Sequence, residues 1–195
     1  MRPPGSGGPP PSFRSPLSGH LFDARTVVVS EALTTDVAGE ITERLAVLAA
    51  ESTDSITLLM SNVPGGDVEG GLSTYDLLRS LRAPVTALAS GRIAGPGILA
   101  LVGVPADARF ALPHARFRLR EPTDSLGWGP SANLKEKEAA AADRRERLVA
   151  ILAGATGQTE AQIESDVSAQ RAFQPEEAVE YGLIHRVVQS RRDIE

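Results

Sequence analysis

At 195 residues and 42% apolar content, the chain is long enough to build one globular domain with a sizeable core. Its formal charge of −5 argues against a nucleic-acid partner, which needs a basic face. The absence of cysteine excludes disulfides, thiolate metal sites and cysteine nucleophiles, and the three histidines, His20, His114 and His185, lack metal-ligand spacing. The opening segment, residues 1–20, is rich in Pro, Gly and Ser, lacks the apolar stretch of a secretory signal, and reads as a flexible tail before a single domain over 21–195. No apolar run reaches the roughly 20 residues of a membrane span. No metal, cofactor, nucleic acid or membrane is expected as a partner, and the chain fits the cytoplasm.

From Leu21 onward, strand-like and helix-like segments alternate. Thr26 to Val29 is a β-branched run that reads as a strand. Val37, Ile41, Leu45 and Leu48 recur at helical spacing, with Thr35 or Asp36 available to cap the start. "SITLLMS" is a buried strand closed by the breaker cluster "NVPGGD". Leu72, Tyr75 and Leu78 mark one face of a helix that Pro84 follows. "VTALASG" is a second buried strand, "GRIAGPG" a turn, and "GILALVGV" a buried helix. "ARFAL" and "ARFRL" are short extended pieces, and "DSLGWGPSA" is a loop. A long helix runs from Asn133 to about residue 153 with a charged middle and an apolar end. Thr159 with Gln162 forms a capping box for the next helix, Pro175 and Gly182 bracket a short one, and "IHRVV" is a last strand. This alternation predicts an α/β domain with buried, mostly parallel strands.

Two glycine turns follow two of these buried strands: Gly65 and Gly66 in "PGGD", and Gly95 in "GRIAGPG". Ligands bind at the carboxyl ends of strands in open α/β sheets, so the turns read either as an oxyanion hole built from backbone N–H groups or as plain tight turns. Neither is a phosphate loop, because no Gly-Lys-Ser/Thr follows. Ser90 reads as a satisfied core hydroxyl, His114 as a surface or interface residue, and His185 as remote from both turns.

Four stretches, "LMSNVPGGDVEGGLSTYDLLRSLRAPV", "RFALPHARFRLREP", "ATGQTEAQIESDV" and "PEEAVEYGLIHRVV", resemble the ClpP family, the proteolytic subunit of the ATP-dependent Clp protease. The resemblance runs in order from about Leu21 to Val188. It implies the ClpP/crotonase fold with a protruding handle helix (about residues 123–155) and heptameric rings stacked in pairs. It also implies a Ser-His-Asp peptidase triad. Gly95 stands at the position of the family's nucleophilic serine, Arg120 at its histidine and Gln170 at its aspartate. Pro96 follows the nucleophile position, where the family uses a backbone N–H in the oxyanion hole, leaving Gly65 and Gly66 as the rest of that hole.

Glycine offers no nucleophile, arginine stays protonated, glutamine carries no charge to support an imidazolium, and proline has no N–H. The resemblance thus implies a non-catalytic subunit. Its partners would be copies of itself or an active ClpP paralogue, and an AAA+ Clp ATPase. Arg171, retained beside Gln170, and Trp128 would serve subunit contacts. The alternative is a repurposed crotonase-fold enzyme or a small-molecule or inhibitor-binding protein using the old cleft, with Arg120 joined by Glu121 or Asp124. The thioester-binding crotonase pattern is itself broken by Pro96 and by Leu99, which stands where a hydratase has glutamate.

Overall fold

A computed structural model describes residues 17–121 and 134–194, with side chains described over 19–121 and 138–194. Helix α1 (Leu17–Asp23) precedes strand β1 (Thr26–Val29), so helical structure begins within the segment read as a tail. There follow α2 (Thr35–Glu51), β2 (Ile56–Val63), α3 (Val68–Ser80), β3 (Val85–Ala94) and α4 (Pro96–Gly103). After a 3₁₀ turn come β4 (Arg109–Ala111) and β5 (Arg116–Arg118), then α5 (Leu134–Thr156), α6 (Glu160–Ser168), β6 (Ala172–Phe173), α7 (Pro175–Tyr181) and β7 (Arg186–Val187). The strands join in the order β1-β2-β3-β4-β7, all parallel, with β5 parallel to β3 and β6 antiparallel to β5. The predicted mostly parallel α/β architecture is what forms.

The helical periodicity of α2 places Val37, Ile41, Leu45 and Leu48 in the core. Its cap is Thr34, one residue before the expected pair, whose Oγ1 accepts from the Val37 N–H at 3.3 Å. In α3, Leu72 and Leu78 are buried and Tyr75 is half-buried. All eight residues of α4 are buried, so this helix has no polar face and forms the centre of the molecule. Truncating a buried residue such as Ile41 or Leu99 to alanine costs about 2–5 kcal/mol. The box expected at α6 closes one way only. Thr159 Oγ1 accepts from the Gln162 N–H at 3.2 Å, but the Gln162 side chain turns to Asp166. A reciprocal box forms instead at α7, between Gln174 and Glu177, and Gly182 ends that helix at φ 89°.

One strand ran further than its sequence suggested. Gly91 looked like the end of β3, yet β3 continues to Ala94. The glycine is absorbed as a bend: φ is 63°, and a Cβ there would overlap the amide of Asn62, itself at φ 57° beside a register shift in β2. The Arg92 N–H donates to Asn62 Oδ1 at 3.1 Å across this bend. Before the bend β3 pairs with β4, and after it with β5. The far half of β3, with β5 and β6, therefore forms a separate facet of the sheet, and the glycine turns lie at its end.

Arg109, which sequence reading passed over, anchors the other side of α4. Its guanidinium donates to the Val104 and Val102 carbonyls at 2.7 and 3.0 Å and to that of Ala155 at 3.3 Å. A cation at two helix C-termini is favourable, while burial pushes its pKa down to about 10. Among the described residues, no helix is long and apolar enough to cross a membrane.

Candidate active site

The site begins where β3 meets α4. Gly95 joins them at φ 53°, ψ −122°, a conformation that costs a residue with a side chain about 1–3 kcal/mol. Its N–H donates to the Arg118 carbonyl at 3.1 Å, and its carbonyl accepts from the Ile98 N–H at 2.8 Å. Pro96 occupies the first helical position, where its fixed φ suits the helix and its missing N–H costs no internal bond. The helix start is packed closely: a Cβ at Gly97 would lie 2.8 Å from Val63 Cγ1, and one at Gly71 would lie 2.9 Å from Pro96 Cβ. Strand, sharp turn and buried helix together make the elbow on which α/β hydrolytic enzymes mount a nucleophile.

The second turn, Gly65–Gly66, is held by the segment before α2. The Leu33 N–H donates to the Gly65 carbonyl at 2.8 Å, and the Asp67 N–H donates to the Leu33 carbonyl at 3.1 Å. A Cβ on Gly66 would overlap the backbone of Leu33, so only glycine fits there. Asp67, nearly buried, locks the turn to two helices. Its Oδ1 accepts from the Gly70 N–H (2.6 Å) and Thr35 Oγ1 (3.0 Å), and its Oδ2 accepts from the Thr35 N–H (2.9 Å).

Arg120 connects the two turns. A Cβ built on Gly95 would lie 3.9 Å from Arg120 Cβ, and one built on Gly65 would lie 3.9 Å from Arg120 Nη1. The half-buried side chain therefore spans from the elbow to the "PGGD" turn. Gln170 joins from the third side: its carbonyl accepts from Arg118 Nε at 3.2 Å, and the next residue's carbonyl accepts from the Leu119 N–H at 2.9 Å. Gln170 is exposed, with φ 51° in the turn that leads into β6. Arg120 thus lies beside Gly95 past the ends of β3 and β5, while Gln170 lies in the turn before β6, bonded to Arg118.

Glu121, an acidic candidate for a polar site with Arg120, has its own partner elsewhere. Glu121 pairs with Arg145 of α5 at 2.8 Å, and Arg145 also donates to Ser168 Oγ at 2.8 Å. Asp124 and Trp128 lie outside the described residues. Arg171 is engaged within the chain. It pairs with Asp166 at 3.2 Å and lies over the rings of Phe173 (4.8 Å) and Tyr181 (5.2 Å). Asp166 accepts in addition from the Tyr181 hydroxyl at 2.7 Å and from Gln162 Nε2 at 3.0 Å. Burial alone would raise the Asp166 pKa. The hydrogen bonds from Gln162 and Tyr181 and the charge of Arg171 outweigh that and hold it below the usual carboxylate value. Burial and the same carboxylate push the Tyr181 phenol up. Sequence reading missed this cluster, although Asp166 and Arg171 stand only five residues apart.

Ser90 is half-buried and lines a cavity of about 360 Å³ with Leu112, Pro113, His114 and Gln189, away from the elbow. His114 is exposed, and His185 stacks edge-on against Phe110 with ring centroids 6.0 Å apart. The described residues hold no group of three or more His, Asp or Glu side chains able to bind a metal.

Fold and elbow together define a ClpP/crotonase-type α/β protein with its cleft at the strand ends. The family model for Clp protease matches residues 14–191. The ATP-dependent Clp protease proteolytic subunit 2 of Pseudomonas aeruginosa is 33% identical over 178 residues, covering 91% of this chain and 88% of the relative. The ATP-dependent Clp protease proteolytic subunit 1 of Streptomyces avermitilis is also 33% identical, covering 95% and 85%. Among solved structures, ClpP1 from Listeria monocytogenes superposes with a TM-score of 0.81 at 27% identity, covering 92% of this chain and 99% of that one. The chain belongs to the Clp protease family, as a ClpP-like subunit.

Proposed function

We propose that this chain is a non-catalytic, structural or regulatory subunit of a Clp-protease-type ring assembly. The observation that carries the reading is the content of the cleft. The elbow carries Gly95 followed by Pro96, Arg120 lies beside Gly95, and Gln170 stands in the turn bonded to the neighbouring Arg118. Position 95 has no atom to form an acyl intermediate. Arg120 cannot accept a proton at neutral pH. Gln170 is exposed and neutral, and cannot support an imidazolium. Pro96 withholds a donor whose counterpart in hydrolases is worth about 2.7–4 kcal/mol in the transition state. The packed core and Asp67-locked turn, by contrast, support a scaffold able to assemble.

Rings of seven, homomeric or mixed with an active paralogue and capped by a Clp ATPase, are the assembly this reading assigns. The handle over about 123–155, Trp128 and Arg171 would be its contact elements. The crotonase-type alternative has less support, because Pro96 removes a thioester-oxygen donor and Leu99 is fully buried in α4.

The test is a fluorogenic peptidase assay on the purified chain, with native mass spectrometry of the chain alone and co-expressed with an active ClpP from the same cell. Background hydrolysis and ring-sized masses are expected. Robust hydrolysis that survives removal of contaminating ClpP overturns the non-catalytic assignment, and a monomer under both conditions overturns the assembly.

A further inference from the structure

The cleft is one end of a longer feature. Along β5 and the two residues after it, Arg116, Arg118 and Arg120 alternate with Phe117 and Leu119, both buried. The parallel register pairs Arg92 of β3 with Arg116 and Ala94 with Arg118, while Ile93 and Phe117 pair on the core side. Side chains alternate across a strand, so Arg92, Arg116, Arg118 and Arg120 share one face of the sheet. Arg92, Arg116 and Arg118 are exposed and Arg120 is half-buried.

These guanidinium groups have no ion-pair partner among the described residues. Arg116 donates only to its neighbour's carbonyl at 2.7 Å, and Arg118 to the Gln170 carbonyl at 3.2 Å. The side chains bordering the row supply no counter-charge. Asn62 lies beside Arg92, Ala172 pairs with Arg118, and Gln170 and Gln174 flank Ala172. The one nearby carboxylate, Glu121, is taken by Arg145. A chain of net charge −5 thus gathers a row of unneutralised arginines on one sheet facet, at the cost of their mutual repulsion. Other arginines are ion-paired, as Arg147 with Asp143 and Arg171 with Asp166.

We infer that this row is a binding site for an extended acidic polypeptide segment, with Arg120 receiving a carboxylate in the cleft between the two glycine turns. The spacing favours a peptide. Residues on one face of a strand recur about every 6.6 Å, the repeat at which alternate side chains of an extended peptide recur. Guanidinium is suited to bidentate recognition of carboxylates. Retention of the segment without cleavage rests on the non-catalytic reading; its binding does not.

The test is fluorescence anisotropy with the full chain and an N-acetylated decapeptide alternating Glu and Thr. An alternating Lys-Thr peptide and a ten-nucleotide oligothymidine serve as comparison probes. Saturable binding of the Glu-Thr peptide that weakens with salt is expected, with weaker binding by both comparison probes. The Arg118→Gln/Arg120→Gln variant should bind it about tenfold more weakly, the sum of two exposed-to-half-buried ion pairs. Arg147→Gln, on α5, should bind it as the parent does. Circular dichroism establishes that each variant folds, and if the double variant does not, the probe comparison on the parent chain decides. No saturable binding of the Glu-Thr peptide, equal binding of the Lys-Thr peptide, tighter binding of the oligothymidine, or undiminished binding by the folded double variant overturns the site. None of these outcomes bears on the peptidase test, so the two readings fail separately.

Discussion

Arg171 and Arg120 sit on either side of the same strand pairing, and their surroundings are opposite. Arg171 has a carboxylate, two aromatic faces and a neighbouring tyrosine that completes the same hydrogen-bond cluster. Arg120 spans two glycine turns and meets no partner among the described residues. Arg109 extends the first pattern into the core, with all its bonds made to helix-end carbonyls. Arg109 and Arg171 are tied to other parts of the fold; Arg120 has no ion-pair partner among the described residues. A charge without a structural partner is a charge available to a ligand, which is what the proposed acidic-segment site uses.

The largest effect expected from breaking this contrast is at Arg109. Arg109→Ala leaves three buried carbonyls unsatisfied and opens a cavity, and should lower unfolding free energy by about 3 kcal/mol in denaturant titration. Asp166→Ala, which strands Tyr181 and Arg171, should cost about 2 kcal/mol by the same measurement.

The Asp166 carboxyl also sets a pH dependence. Its folded pKa lies below the ordinary value of 3.8, so its contribution is present above that value and is lost as pH falls through the folded one. Thermal melts of the parent should therefore lose this contribution only in acid below 3.8, and Asp166→Asn should flatten that limb.

Gly95→Ser should be tolerated with a loss of about 1–3 kcal/mol. There is room, because the nearest atom to a new Cβ is Arg120 Cβ at 3.9 Å, but φ 53° strains any side chain. The variant should show no peptidase activity, since Arg120, Pro96 and Gln170 remain; measurable hydrolysis would break the account of the cleft. The smallest effect should be at Arg120 itself. Arg120→Gln should shift unfolding by less than about 0.5 kcal/mol, because no partner is lost. A larger loss would place Arg120 with Arg171 among the structural arginines.

Much of the architecture was legible in the residues because it rests on local rules. Helical spacing in α2, the β-branched run of β1, the apolar run of β2, Pro175 and Gly182 around α7, and the apolar run of α4 each act within one element. Errors fell where a distant segment decided the outcome. Gly91 looked like a strand end, but Asn62 of the neighbouring strand accommodates it as a bend. Gln162 was to complete a capping box, but Asp166 draws its side chain away. Glu121 was to stand beside Arg120, but Arg145 of α5 holds it.

The sequence by itself determined the alternation of strand and helix and the two glycine turns. Only the tertiary structure decided that Arg120 spans the two glycine turns, that Arg171 is paired, and that Arg92 joins the β5 arginines in one row. Those facts depend on strand register and on competition between partners far apart in the chain. Neither has a periodicity for a linear sequence to display.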